Sequence, residues 1–169
     1  MLHSLPDGTR IILRPIVAAD KARLSVALGR LSQETIRRRF LAAKPRFSAS
    51  ELRYLTEVDG HNHIALAAFL AEDPNTIAGV ARCIRLLPDD PETAEFAIVV
   101  GDPFQGRGLG TVLARELAAA ARRAGIRRFA ATMLGDNQAV RRLMRTISAH
   151  LELDRLDHGV REVVINLAA

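Results

Sequence analysis

The chain has 169 residues, 49% of them apolar and 25% charged, the size and balance of one domain that buries its core without disulfide or metal staples. Cys83 is the only cysteine, which excludes an internal disulfide, and no apolar run reaches the length of a membrane helix. A net charge of +5, carried mostly by arginine, favours phosphate-bearing ligands or acidic partners, while the scarcity of aromatic residues disfavours nucleic acid. With no charged-then-apolar leader at the start, one cytoplasmic domain spanning 1–169 is expected, without membrane association.

In chain order, Asp7-Gly8 reads as a turn and Arg10 to Arg14 as a strand. Asp20 is placed to cap a helix with Leu24, Val26, Leu28 and Leu31 on its apolar side. Ser32 opens a second helix reaching Phe40, and a third runs from Ser50 to Glu57. Strands His63–Ala71 and Thr76–Leu86 flank the turn Asp73-Pro74-Asn75. A strand from Ala94 to Val100 leads into Gln105-Gly106-Arg107-Gly108-Leu109-Gly110.

Leu109, Val112, Leu113, Leu117 and Ala120 then recur at helical spacing, and Gly125 stops that helix. Ile126 to Leu134 is a strand. Asp136 caps a helix with Val140, Leu143, Met144 and Ile147 on one face. Leu151–Leu156 and Val160–Leu167 close the chain as a hairpin around Asp157-His158-Gly159. The order predicts a mixed α/β domain, a sheet of six to seven strands with flanking helices. Its strand–helix–strand crossover at the glycines joins parallel strands.

The glycine-rich turn sits between a strand and an amphipathic helix. There, unpaired helix N-terminal amides and the helix dipole attract an anion, and glycines let the backbone approach it closely. Such a turn is a pyrophosphate cradle, with Arg107 adding a charge beside it. A dinucleotide fingerprint needs a third glycine where Thr111 stands, and the Gly-Lys-Ser/Thr of a P-loop is absent. His61 and His63 would share one strand face as paired metal ligands do, but no third ligand accompanies them, and no metal is expected. No serine sits in a nucleophile elbow, and Cys83 lacks a partner pattern for covalent catalysis.

Ala94-Glu95-Phe96-Ala97-Ile98-Val99-Val100 followed by this Gln-x-x-Gly-x-Gly turn resembles the GNAT superfamily of acyl-CoA-dependent N-acetyltransferases, as does Asn137 with Ala139 and Leu143 after it. Asp7-Gly8-Thr9, Arg14-Pro15-Ile16, Asp20 and Leu31 to Phe40 are similar to the acetyltransferase domain of bacterial protein-lysine acetyltransferases. The resemblance implies acetyl-CoA as co-substrate. Its pantetheine would pair with the main chain of Ile98, Val99 and Val100. Its pyrophosphate would sit on amides from Gly106 to Thr111, through Arg107, Gly108, Leu109 and Gly110, with Gln105 opening the motif and Asn137 near the pantetheine end. The acceptor would be an amine, on a protein lysine or a small molecule. A non-catalytic acyl-CoA-binding domain is the alternative, and a homodimer is compatible with either.

A lysine amine, with a pKa of about 10.4, must lose a proton before it attacks. Glu95 is the candidate base, among apolar neighbours that would partly desolvate it. Many relatives carry a tyrosine acid on the helix after the asparagine, where this chain has Met144; a thiolate leaving group tolerates that loss. Arg37, Arg38 and Arg39 form a basic run, and one of Arg141, Arg142 and Arg145 would reach the ribose phosphate.

Overall fold

The computed structural model describes residues 1–44 and 46–167. In chain order the elements are β1 (Leu2–Ser4), β2 (Arg10–Pro15), α1 (Lys21–Gly29), α2 (Gln33–Phe40), α3 (Ala49–Thr56), β3 (His63–Leu70), β4 (Ile77–Leu87) and β5 (Asp90–Val100). Then come α4 (Leu109–Arg123), β6 (Arg128–Leu134), α5 (Gln138–Ile147), β7 (Leu151–Asp157) and β8 (Val160–Asn166). The strands form one sheet in the order β1-β2-β3-β4-β5-β6-β8-β7. All neighbours are antiparallel except β5 and β6, which the α4 crossover makes parallel.

The mixed α/β architecture matches the expectation, with eight strands where six to seven were predicted. The addition is β1, three residues on the sheet edge, too short to show alternation. β5 also starts earlier than Ala94. A two-residue turn at Pro88-Asp89 lets Asp90 pair with Leu87, so residues 90–93 extend β5 as one arm of a hairpin.

Helix starts differ from the local reading. The Asp20 side chain makes no cap bond to α1; its carboxylate instead accepts from the Val17 amide and from Arg14 and Arg23. Ser48, not Ser50, caps α3, in a reciprocal pair with Glu51. Asn137, not Asp136, caps α5. Val26 points to solvent, while Leu24 and Leu28 carry the buried side of α1.

Helices cover both faces of the sheet. On one face, Leu109, Leu113 and Leu117 of α4 pack with Phe96, Phe129 and Met144. On the other, Leu24 of α1 packs with Leu52 and Leu55 of α3 against Phe69, Val80 and Val99. The three α4 leucines are at most 1% exposed, each worth about 1.5–3 kcal/mol of burial, so α4 is fixed against the sheet along its length. Among the described residues no helix is long and apolar enough to cross a membrane.

Candidate active site

The β5–β6 pairing lasts for only three registers, Thr93↔Arg128, Ala94↔Phe129 and Glu95↔Ala130. Beyond Glu95 the strands part, while β5 stays paired to β4 as far as Gly79↔Val100. The gap widens into a cleft of about 1050 Å³. Its walls are β5 from Glu95 to Val100, β6 from Ala131 to Met133, the glycine-rich turn, α2 and α5. One strand edge of β5 therefore faces a cavity rather than a neighbour.

The turn lies at the far end. Gly106 and Gly108 have φ of 72° and 87°, a region in which a Cβ is strained. The first backbone bonds of α4 come from the amides of Thr111 and Val112, both to the Gly108 carbonyl. Among the described residues, the amides from Gly106 to Gly110 have no backbone acceptor. The Leu109 side chain is 1% exposed and anchors the helix in the core. Arg107 turns away from the cleft into an ion pair with Asp7 at 2.9 Å, which offsets the charge expected beside the cradle.

Gln105 points inward. Its Nε2 donates to the Val100 carbonyl at 3.0 Å and to Thr35 Oγ1 at 3.1 Å. Asp102 accepts from the Ser32 amide and hydroxyl at 2.9 and 2.7 Å and from the Thr35 hydroxyl at 2.8 Å. This network ties the N-terminus of α2 to the end of β5. Asn137 is 5% exposed, lines the cleft and accepts from the Val140 amide at 3.3 Å.

Glu95 is the last β5 residue paired with β6 and lies in the cleft wall. It is exposed, so the expected shielding by neighbours is absent. Alternation explains this: Phe96 and Ile98 turn to the α4 face, away from Glu95. Met144 is wholly buried in the α4 core; the cleft side of α5 presents Ala139, Val140, Arg142, Leu143 and Thr146.

The arginines separate by partner. Arg141 donates to Asp154 at 2.8 Å, and Arg145 lies 4.0 Å from it, whereas Arg142 lines the cleft. Arg37 and Arg38 pair with Glu34; Arg39 reaches into the cleft. Ser32, which caps α2, and Thr35 were not legible as site residues, because only the fold brings them to a turn some 70 positions away. His61 and His63 do not share a strand face: His61 precedes β3, in a bend where the Asp59 carboxylate accepts the amides of both histidines. No group of three or more metal-ligating side chains converges among the described residues.

A sheet that parts beside a strand-to-helix cradle defines a class of acyltransferase, and the chain belongs to the Acetyltransferase (GNAT) family, whose profile matches residues 33–147. It is 35% identical to Acetyltransferase Pat of Mycolicibacterium smegmatis over 84% of this chain, and it spans only 42% of that longer protein. It is 32% identical to Acetyltransferase PA5475 of Pseudomonas aeruginosa, over 84% of this chain and 76% of the other. The GNAT domain of S. lividans PAT superposes with a TM-score of 0.88 at 30% identity, covering 99% of this chain and 96% of that one. At the level of fold, yncA from Salmonella typhimurium, solved with its cofactor acetyl-CoA, superposes with a TM-score of 0.71 at 19% identity, covering 94% and 96%.

Proposed function

We propose that this chain transfers the acetyl group of acetyl-CoA to a primary amine, a protein lysine foremost, with Glu95 as general base. The observation that carries the reading is the parting of β5 and β6 beside the cradle. One site joins an open strand edge, a face of unpaired amides and a carboxylate. The residues fit the co-substrate: glycine amides suit a pyrophosphate, and the main chain of Ile98, Val99 and Val100 suits the amide-bearing pantetheine arm. Of Arg141, Arg142 and Arg145, Arg142 lines the cleft, which supports it as the cation that would meet the ribose phosphate.

Acetyl-CoA supplies an activated thioester. Glu95 accepts the proton of the attacking amine, directly or through one water, as the N–C bond forms and the C–S bond breaks. A β5 amide at Val99 or Val100 stabilises the charge that grows on the carbonyl oxygen. No side chain is assigned to protonate the sulfur; a thiol pKa of about 8.5 lets it leave as thiolate. The likeness of Asp7-Gly8-Thr9, Arg14-Pro15-Ile16 and Leu31 to Phe40 to the acetyltransferase domain of bacterial protein-lysine acetyltransferases supports a protein acceptor.

Thiol release from acetyl-CoA over a panel of proteins, peptides, polyamines and amino sugars tests the reading. Glu95→Gln should lower turnover about 100-fold at near-normal acetyl-CoA affinity. Unchanged turnover removes Glu95 from the mechanism. Gly108→Glu, which places a strained Cβ 3.4 Å from Pro6 Cδ and an anion in the cradle, should abolish acetyl-CoA binding. Tight binding with no turnover on any acceptor favours a non-catalytic acyl-CoA-binding domain.

A further inference from the structure

Two arginines on the α2–α3 face of the sheet lack a carboxylate partner among the described residues. Arg82, on β4, stands opposite Ala97 of β5. Its side chain therefore rises on the face shared by Ala97 and, diagonally across the strands, Glu95. It is only 4% exposed. Its Nη1 donates to the Leu55 carbonyl at 3.2 Å and to His63 Nε2 at 3.0 Å. Burial, and next the Arg82 charge, bring His63 down to about 4, so this partner is neutral. Dipoles solvate Arg82; no anion among the described residues neutralises it.

Arg39 descends from α2 into the cleft, its guanidinium 4.9 Å from the centre of the Phe40 ring. Its charge repels Arg82, and the Glu95 carboxylate attracts it without an ion pair forming. The other acids lining the cleft are engaged: Glu34 with Arg37 and Arg38, Asp102 with Ser32 and Thr35. Two cations thus lie near each other, and the Glu95 carboxylate acts on Arg39 alone. A cation withdrawn from water without a counter-ion is costly, so this face is complete only when a second anion enters. Were Arg39 to close on Glu95 instead, it would tie up the base.

We infer that Arg39, backed by the buried Arg82, binds a carboxylate carried by the acceptor, while Glu95 receives the proton of that acceptor's amine. The inference rests on the acetyl-transfer reading of the cleft. The recognised chemistry is a primary amine and a carboxylate on one molecule. Its two sources are an acidic side chain close to a target lysine and the carboxylate of a free amino acid.

Two matched pairs of acceptors test this: peptides with a single lysine flanked by Glu or by Gln, and Nα-acetyl-lysine against its carboxamide. The kcat/KM ratio of charged to neutral member is measured within each variant, so a general loss of activity cancels. The full chain should favour the charged member of at least one pair by about 10-fold or more, the scale of a hydrogen bond to an ionised group. The pair that shows the preference identifies the source. Arg39→Ala should bring that ratio close to one, and Arg39→Lys should retain part of it. Where Arg39→Ala does not fold, Arg39→Gln takes its place. Turnover without charge preference, or a preference that survives removal of the guanidinium, overturns the inference and leaves the acetyl-transfer reading standing. No turnover of any acceptor, with acetyl-CoA still bound, overturns both.

Discussion

The Asp20 side chain has no exposed surface, yet it holds a full charge. Both terminal nitrogens of Arg14 donate to it at 2.8 Å, and Arg23 and the Val17 amide donate at 3.0 Å. The Arg14 bonds above all hold its carboxyl down to about 2, against an ordinary 3.8. A depressed carboxylate stabilises the fold fully above its unfolded pKa, and that stability is lost as pH falls from about 3.8 to about 2. His63 has the same sign by another cause. Burial favours its neutral form, and its contribution is lost as pH falls from 6.5 to about 4. Stability followed by denaturant titration should therefore fall in two steps on acidification, and His63→Gln, which keeps an acceptor for Arg82, should flatten the upper one. At pH 7, Asp20→Asn should cost about 3 kcal/mol, because it leaves Arg14 and Arg23 facing an uncharged group. A cost below about 1 kcal/mol would show that the ion pairs are solvated away.

At the scale of elements, β4 and α4 approach closely. A Cβ on Gly79 would lie 2.9 Å from Leu113 Cδ1 and 3.0 Å from the Val99 carbonyl oxygen. The glycine lets the helix that carries the cradle approach the strand that supports the cleft. Gly79→Ala should destabilise the chain by about 1–3 kcal/mol and weaken acetyl-CoA binding as α4 shifts outward; full affinity in a destabilised variant would separate packing from the cradle. The 3.6-residue period of α4 and the Gly125 stop were legible from sequence, since each is a local pattern, whereas the alternation in β5 that exposes Glu95 was not read. Asp20 and Asp136 were misread as caps because a short acidic residue before an apolar run fits either a cap or an ion pair. Only the position of Arg14 decides the first case, and only the backbone before Val140 the second.

At the scale of the molecule, the site draws on segments at 32–41, 95–111 and 131–146. The middle segment announces itself because strand, glycines and helix are consecutive. The contribution of α2 was legible only in part. Arg37, Arg38 and Arg39 read as a solvated helix face or as a basic run that attracts an acidic acceptor, and only the fold singles out Arg39 as the one that enters the cleft. If acetyl-CoA occupies the gap, its binding should protect both walls at once. Amide exchange from Phe96 to Val100 and at the amides from Gly106 to Gly110 should slow together, and acetyl-CoA at 100 times its Kd should stabilise the fold by about 2.7 kcal/mol. Slowing at the turn alone would restrict the bound contact to the phosphates.

The parting of β5 and β6 also bears on what is kept out. An unpaired strand edge at the margin of a sheet invites another protein's strand, and natural sheets guard such margins. Here the bare edge lies between two strands of the same sheet, with α5 and α2 among its walls. A strand arriving with a sheet of its own has no room for the rest of that sheet. A thin arm that bears amides yet belongs to no sheet can enter lengthwise. The backbone thus selects for slenderness before any side chain selects for chemistry.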